Sequence, residues 1–195
     1  MKFFKFIFSL FGKKEKKPDY VFPHSIVTDY PIKLHELNRP NFKASEFWYS
    51  DTAEENDIDN TPKEQYILFN LMKTADMIQH FHYFVQTKFP DKKVKIIITS
   101  GYRNDATNKL VGGSPTSAHL TGLAIDIKIT INNIAIEAEK IAILYHESQI
   151  TFDQLLIEKT ICHIGYKDND RENRKEISIA TRNKMQKWKL KPYKI

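Results

Sequence analysis

Two short stretches hold most of the residues able to do chemistry. The first, Ser100 to Asp126, carries Arg103, Ser117, His119 and Asp126, and four of the chain's six glycines fall inside it. Glycine suits tight turns and close backbone approach to a ligand. The second, Asp153 to His163, adds Glu158 and another histidine. An imidazole and a carboxylate are ligand types that suit zinc. His119 and Asp126 are separated by six residues, too far for one helical turn, and Gly122 between them argues against a helix. The spacing predicts a loop at His119, a turn at Gly122, and a strand from Leu123 to Ile129. Asp126 then shares a strand face with Ala124 and Lys128, while Leu123, Ile125 and Ile127 point the other way. Two ligands do not complete a zinc site, and this pair alone also fits a loop histidine followed by a surface aspartate.

The second stretch, T-F-D-Q-L-L-I-E-K-T-I-C-H-I-G-Y, reads as two apolar strands around a Lys159-Thr160 turn. That turn pairs Glu158 with Ile161 and Leu156 with His163. Glu158 and His163 become diagonal neighbours on one face, ~7 Å apart at the backbone. A carboxylate thus stands beside a possible third ligand. Three protein ligands with an open fourth position describe a catalytic zinc, and a carboxylate beside that position would be its general base. Cys162 falls on the opposite face and reads as a small buried residue, not a nucleophile.

These motifs carry a resemblance. S-G-Y-R, then S-A-H-L-T-G-L-A-I-D, then D-Q-L-L-I-E followed by C-H-I-G-Y, resemble the zinc D-alanyl-D-alanine carboxypeptidase family of murein peptidases, over roughly residues 94 to 166. That family has the Hedgehog/DD-peptidase fold and includes phage endolysins. A-S-E-F-W-Y-S-D-T-A and I-D-N-T-P further resemble the leader of a branch found in small phages and their bacterial hosts. The resemblance implies one zinc per chain, held by His119, Asp126 and His163. It implies that Arg103 binds and polarises a substrate carbonyl or carboxylate and that Ser117 shapes the site. In the better-known branches the catalytic acid stands three residues before the last histidine, where this chain has Thr160. The closest branch keeps a glutamate that matches Glu158, which makes Glu158 the expected base.

The implied activity is a zinc metallopeptidase of the murein carboxypeptidase or endopeptidase type. It would cut peptidoglycan peptides beside a D-amino acid, at the bacterial cell envelope. The route of export is open, and the chain could be phage-encoded and made in the host cytoplasm. The alternative is a zinc-containing wall-binding or structural module without activity, motivated by Thr160.

The elements that must position these residues are legible from periodicity. The fold class expected is α+β: a small antiparallel sheet built from residues near 95, 125, 155 and 163, packed against helices. Thr61-Pro62-Lys63-Glu64 reads as a helix start with a capping box. Ile67, Leu68, Leu71, Ala75, Ile78, Phe81 and Val85 then recur at helical spacing to about Lys88. His80 and His82 lie two apart on that helix, on different faces, and read as structural. A short helix is expected within Ser45 to Ala53, others over Asp105 to Val111 and Asn133 to Glu147, and an edge strand over Glu176 to Ala180.

The chain of 195 residues divides into an apolar, basic segment and extended arm (1–40), a peptidase domain (41–180) and a basic tail (181–195). Its hydrophobic content of 41% and charged content of 28% are those of a globular protein. The net charge of +6 suits an anionic partner such as the bacterial wall or a membrane surface. Gly112-Gly113 lacks the G-K-[ST] ending of a phosphate loop, and no nucleic-acid-binding motif is present. The single cysteine excludes an intrachain disulfide. Residues 1–17 hold an apolar run too short to span a bilayer; it fits a weak signal peptide, an interfacial membrane contact, or a tail packed on the domain.

Overall fold

A computed structural model describes residues 31–169, 172–182 and 188–195. The expectations for residues 1–17 and most of the arm lie outside the described residues. The architecture is α+β, a sheet packed against few helices. The strands are β1 (Val94–Ser100), β2 (Ala124–Ile131), β3 (Ile134–Ala135), β4 (Gln154–Glu158), β5 (Ile161–Gly165), β6 (Glu176–Arg182) and β7 (Trp188–Pro192). They form one seven-stranded sheet in the order β1-β2-β5-β4-β6-β7, with β3 on β2. All pairs are antiparallel except β4 with β6. The helices are α1 (Asp51–Glu55), α2 (Gln65–Lys88), α3 (Asp105–Leu110) and α4 (Ala138–Glu147).

Strand alternation divides the sheet. Ile125, Ile127 and Ile129 of β2, Leu155 and Ile157 of β4 and Cys162 and Ile164 of β5 are buried on one face. There α4 lies against β2, β4 and β5, and α2 lies against β1. Phe81 of α2 meets Tyr145 of α4 edge-on, with ring centroids 4.7 Å apart. Every residue of the expected α2 stripe from Ile67 to Val85 is buried. Burial pushes the Cys162 thiol up, so it stays protonated and apolar in character.

Several boundaries differ from the sequence reading. Thr61 is not the N-cap of α2: Asp59 Oδ1 accepts its backbone N–H at 2.9 Å, the Asx pattern of a turn, and the helix starts after Glu64. The Ser45 to Ala53 segment is two pieces, a 3-10 turn over Ala44–Phe47 and then α1, capped by Ser50 accepting from Ala53. The helix expected from Asn133 starts at Ala138. Asn132 and Asn133 have φ of 52° and 66° and join Ile131 to its partner Ile134 in a two-residue hairpin. Glu176–Arg182 is not the edge strand, since β7 pairs along its outer side.

Gly122 terminates the turn that carries His119. Its φ is +72°, and an added Cβ would stand 2.9 Å from Leu71 Cγ and 3.1 Å from the Ile67 carbonyl oxygen. Asn70 and Thr74 of α2 donate to the carbonyls of Thr121 and Gly122 at 2.9 and 2.8 Å, tying the turn to the helix. Gly122→Ala is therefore expected to destabilise the domain by about 1–3 kcal/mol, read by urea unfolding. Unchanged stability would show that the helix and turn have room to relax.

Candidate metal centre and active site

The site stands on the sheet face away from the helices. Asp126 of β2 is directly opposite His163 of β5, and His163 is directly opposite Leu156 of β4. The β4–β5 hairpin has the register read from the sequence: Glu158 pairs with Ile161, and Lys159 turns the chain with φ of 44°. Glu158 therefore shares the His163 face. On the other side of Asp126, β1 has an irregularity between Ile98 and Ser100 that brings Ser100 opposite Asp126.

His119 reaches this face from a 3-10 turn over Ala118–Thr121, which Ser117 caps by accepting the His119 N–H at 3.4 Å. The ring is buried, and its Nδ1 lies 2.6 Å from the Gly101 carbonyl oxygen. A carbonyl only accepts, so in the neutral ring Nδ1 carries the proton and Nε2 faces the site with its lone pair. That approach needs a bare Cα at Gly101, where an added Cβ would fall 2.1 Å from the Phe47 carbonyl oxygen.

Three donor atoms converge. His119 Nε2 is 3.2 Å from His163 Nδ1 and 3.3 Å from Asp126 Oδ1, and His163 Nδ1 is 2.7 Å from the same oxygen. Among the described residues, this is the one group of three or more His, Cys, Asp or Glu side chains placed to hold a metal ion. The spacing can be tested against zinc. Ligands ~2.0–2.1 Å from a tetrahedral ion stand roughly 3.3 Å from one another. Two of the three separations have that value and the third is shorter. The lone pair of His119 Nε2 also faces a carboxylate oxygen, a repulsive contact unless a cation lies between them. The residues thus fit the metal in chemistry and in spacing. Burial alone would raise the Asp126 carboxyl, but His119 and His163 outweigh it and hold it far below the ordinary carboxylate range. Burial holds the His119 imidazolium below its usual range, which keeps the ring neutral and ready to ligate.

The triad opens onto a cavity of about 700 Å³, whose wall also includes Arg103, Ser117 and Glu158. All six residues singled out in the sequence therefore meet at one place. Arg103 follows the Gly101 turn, and its N–H donates to the His119 carbonyl at 3.1 Å. Its Nε is buried and has no hydrogen-bond partner among the described residues. Burial lowers its pKa, against the opposing charges of Asp126 and Glu158, yet guanidinium remains a cation at any working pH. His80 and His82 take no part. His80 Nδ1 lies 2.7 Å from the Asp76 carbonyl oxygen one turn earlier, and His82 is buried edge-on to Phe42.

Against these positions, the model of the peptidase M15 family matches residues 40–164, well over half of the chain and all three converging side chains. The chain belongs to the peptidase M15 family. M15 peptidases are zinc-dependent metallopeptidases, and the His119–Asp126–His163 group is the possible M15 metal site of this chain. A search among curated proteins finds no match. The M15 match ends at Ile164, so β6 and β7 lie beyond it.

One supporting residue had no role in the sequence reading. Asn60, in the I-D-N-T-P run, is buried. Its Nδ2 donates to the carbonyls of Trp48 and Tyr102 at 2.6 and 2.9 Å, and its Oδ1 accepts the Asn104 N–H at 2.8 Å. These bonds grip the backbone on both sides of Arg103. A buried asparagine beside a proline gives no periodic signal, because its partners are Trp48, Tyr102 and Asn104, distant in sequence. Asn60→Ala is expected to cost about 1–3 kcal/mol in urea unfolding and leave the zinc content unchanged. Wild-type stability would show that another group holds the Arg103 segment.

Proposed function

We propose that this chain hydrolyses peptide bonds of bacterial peptidoglycan beside a D-amino acid, with His119, Asp126 and His163 as its zinc ligands. The observation that carries the reading is the convergence of those three donor atoms on a cavity shared with Arg103 and Glu158. Zinc bound there would polarise the scissile carbonyl and lower the pKa of water to about 7. Glu158 takes the proton from the attacking water and delivers it to the leaving amine. Arg103 offers its unpartnered Nε–H to the developing oxyanion or to a terminal carboxylate. Ser117 fixes the turn that aims His119. The substrate class is supported by the likeness of S-G-Y-R, S-A-H-L-T-G-L-A-I-D and the following motifs to murein peptidases, closest to the branch of small phages and their hosts. It would act at the cell envelope, with residues 1–17 proposed as a membrane-surface contact.

The test is turnover of synthetic peptides ending in D-Ala-D-Ala and of cross-linked muropeptides, with and without a chelator. Zinc-dependent release of a new amino group supports the reading. Protein that holds zinc and yields no product from either substrate would instead be a silent wall-binding module.

A further inference from the structure

The cavity is wider than the residues assigned to chemistry, and one side of it is built by the C-terminal strands. Leu190 of β7 lines it and is 44% exposed, while Leu156 of β4 lines it next to His163. Between these two strands runs β6, which pairs Ser178 with Leu156 and Ala180 with Leu190. Ser178 and Ala180 are small and buried, so the two leucines are what the cavity meets on this side. Lys189 and Lys191, the neighbours of Leu190, alternate to the other face of the strand. A lone large apolar side chain set between lysines, exposed and turned into a catalytic cavity, has no packing reason for its placement.

Its distance from the chemistry follows from the register. Ile157 pairs with Ile179, so Ala180 stands level with Glu158, and Leu190 lies one strand beyond. Two strand spacings put Leu190 about 10 Å from Glu158, and a third puts it about 15 Å from His163. An extended peptide advances ~3.3 Å per residue, so Leu190 stands three or four residues from a bond held at the triad.

We propose that Leu156 and Leu190 form an apolar subsite that takes the alkyl stem of a long side chain three or four residues from the scissile bond. The C-terminal strand is then part of the substrate cleft, and the enzyme prefers extended peptides to free dipeptides. This rests on the peptidoglycan-peptidase reading above. A methyl group is too short to fill the span between the two leucines, whereas an alkyl chain such as that of a diamino acid would cover it.

The test uses full-length, zinc-loaded protein and alanine-based octapeptides with a central D-Ala-D-Ala bond made uncleavable by a reduced amide. Norleucine replaces alanine at each position in turn, and binding is measured by calorimetry. At one position, three or four residues from the bond, norleucine should tighten binding roughly 5- to 30-fold, as expected for burying an alkyl chain. Leu190→Ala should abolish that gain and Leu190→Met should keep it; circular dichroism shows whether each variant is folded. Equal binding of all peptides, a gain that survives in Leu190→Ala, or no binding at all would overturn the subsite. The cleavable peptides are assayed in parallel. A norleucine gain lost in Leu190→Ala, with no cleavage, would leave the subsite standing and remove the hydrolytic reading.

Discussion

His119→Ala and His163→Ala are each expected to lose zinc, measured as metal per chain after dialysis against trace chelator, while wild type keeps about one. Loss of a residue that only supports a ligand typically weakens metal binding 10–100-fold. Loss of a ligand itself should therefore cost roughly a hundredfold or more. A second readout is thermal: zinc should raise the melting temperature of wild type, because it binds the folded chain alone, and should not raise that of either variant. His119 is the more sensitive position. Its ring is buried and is aimed by the Gly101 carbonyl, so truncation also leaves a cavity and an unpaired acceptor. Full zinc retention in either variant would remove that residue from the ligand set. His80→Ala and His82→Ala should retain the metal, since neither belongs to the converging group.

Glu158→Gln is expected to keep zinc and fold and to lose about 10²–10⁴-fold in kcat, the contribution of a general base. The amide preserves size and cannot take a proton. Two comparisons isolate the effect. Thr160 lies in the turn beyond the strand end, so Thr160→Ala should change kcat little. Asp153 is the other carboxylate on the cavity wall, but it is engaged. Arg174 Nε and Nη2 donate to its two oxygens at 3.0 and 2.7 Å, and the Arg174 backbone N–H donates at 3.0 Å. Burial would raise its carboxyl, and the bonds from Arg174 overcome this and hold it low. A carboxylate so held is a poor base, and its work is to fasten the Lys167–Lys175 loop to β4. Asp153→Asn should therefore lower stability and leave kcat within several-fold of wild type. The reverse outcome, a dead Asp153→Asn and an active Glu158→Gln, would move the base to Asp153.

Much of the site was legible because its geometry is local. The Lys159-Thr160 turn sets the register of a short hairpin, and period-two alternation then puts Glu158 with His163 and Cys162 on the far side. Asp126 followed from the same alternation along β2. The α2 stripe was equally plain, since seven apolar residues repeat at helical spacing. What stayed hidden depends on partners far along the chain. Asp59 converts the Thr61-Pro62 helix start into a turn. The two asparagines at 132 and 133 take positive φ and fold a hairpin where apolar spacing suggested helix. Parallel pairing of β6 on β4 has no connecting turn to announce it. The strand β7 is written as a lysine-rich tail, because its lysines face solvent and only Leu190 turns inward. Asn60 and the Asn70–Thr74 pair act on backbone carbonyls of the site loops, a role that leaves no pattern in hydrophobicity.

The central claim is that this metal-binding face cuts peptidoglycan, and mass spectrometry of purified peptidoglycan after incubation with zinc-loaded protein tests it most directly. Wild type should release fragments carrying a new peptide carboxyl and a new amino terminus beside a D-amino acid, and Glu158→Gln and chelated wild type should not. Peptidoglycan left intact by zinc-loaded wild type, or cut equally by the Glu158→Gln protein, would contradict the account.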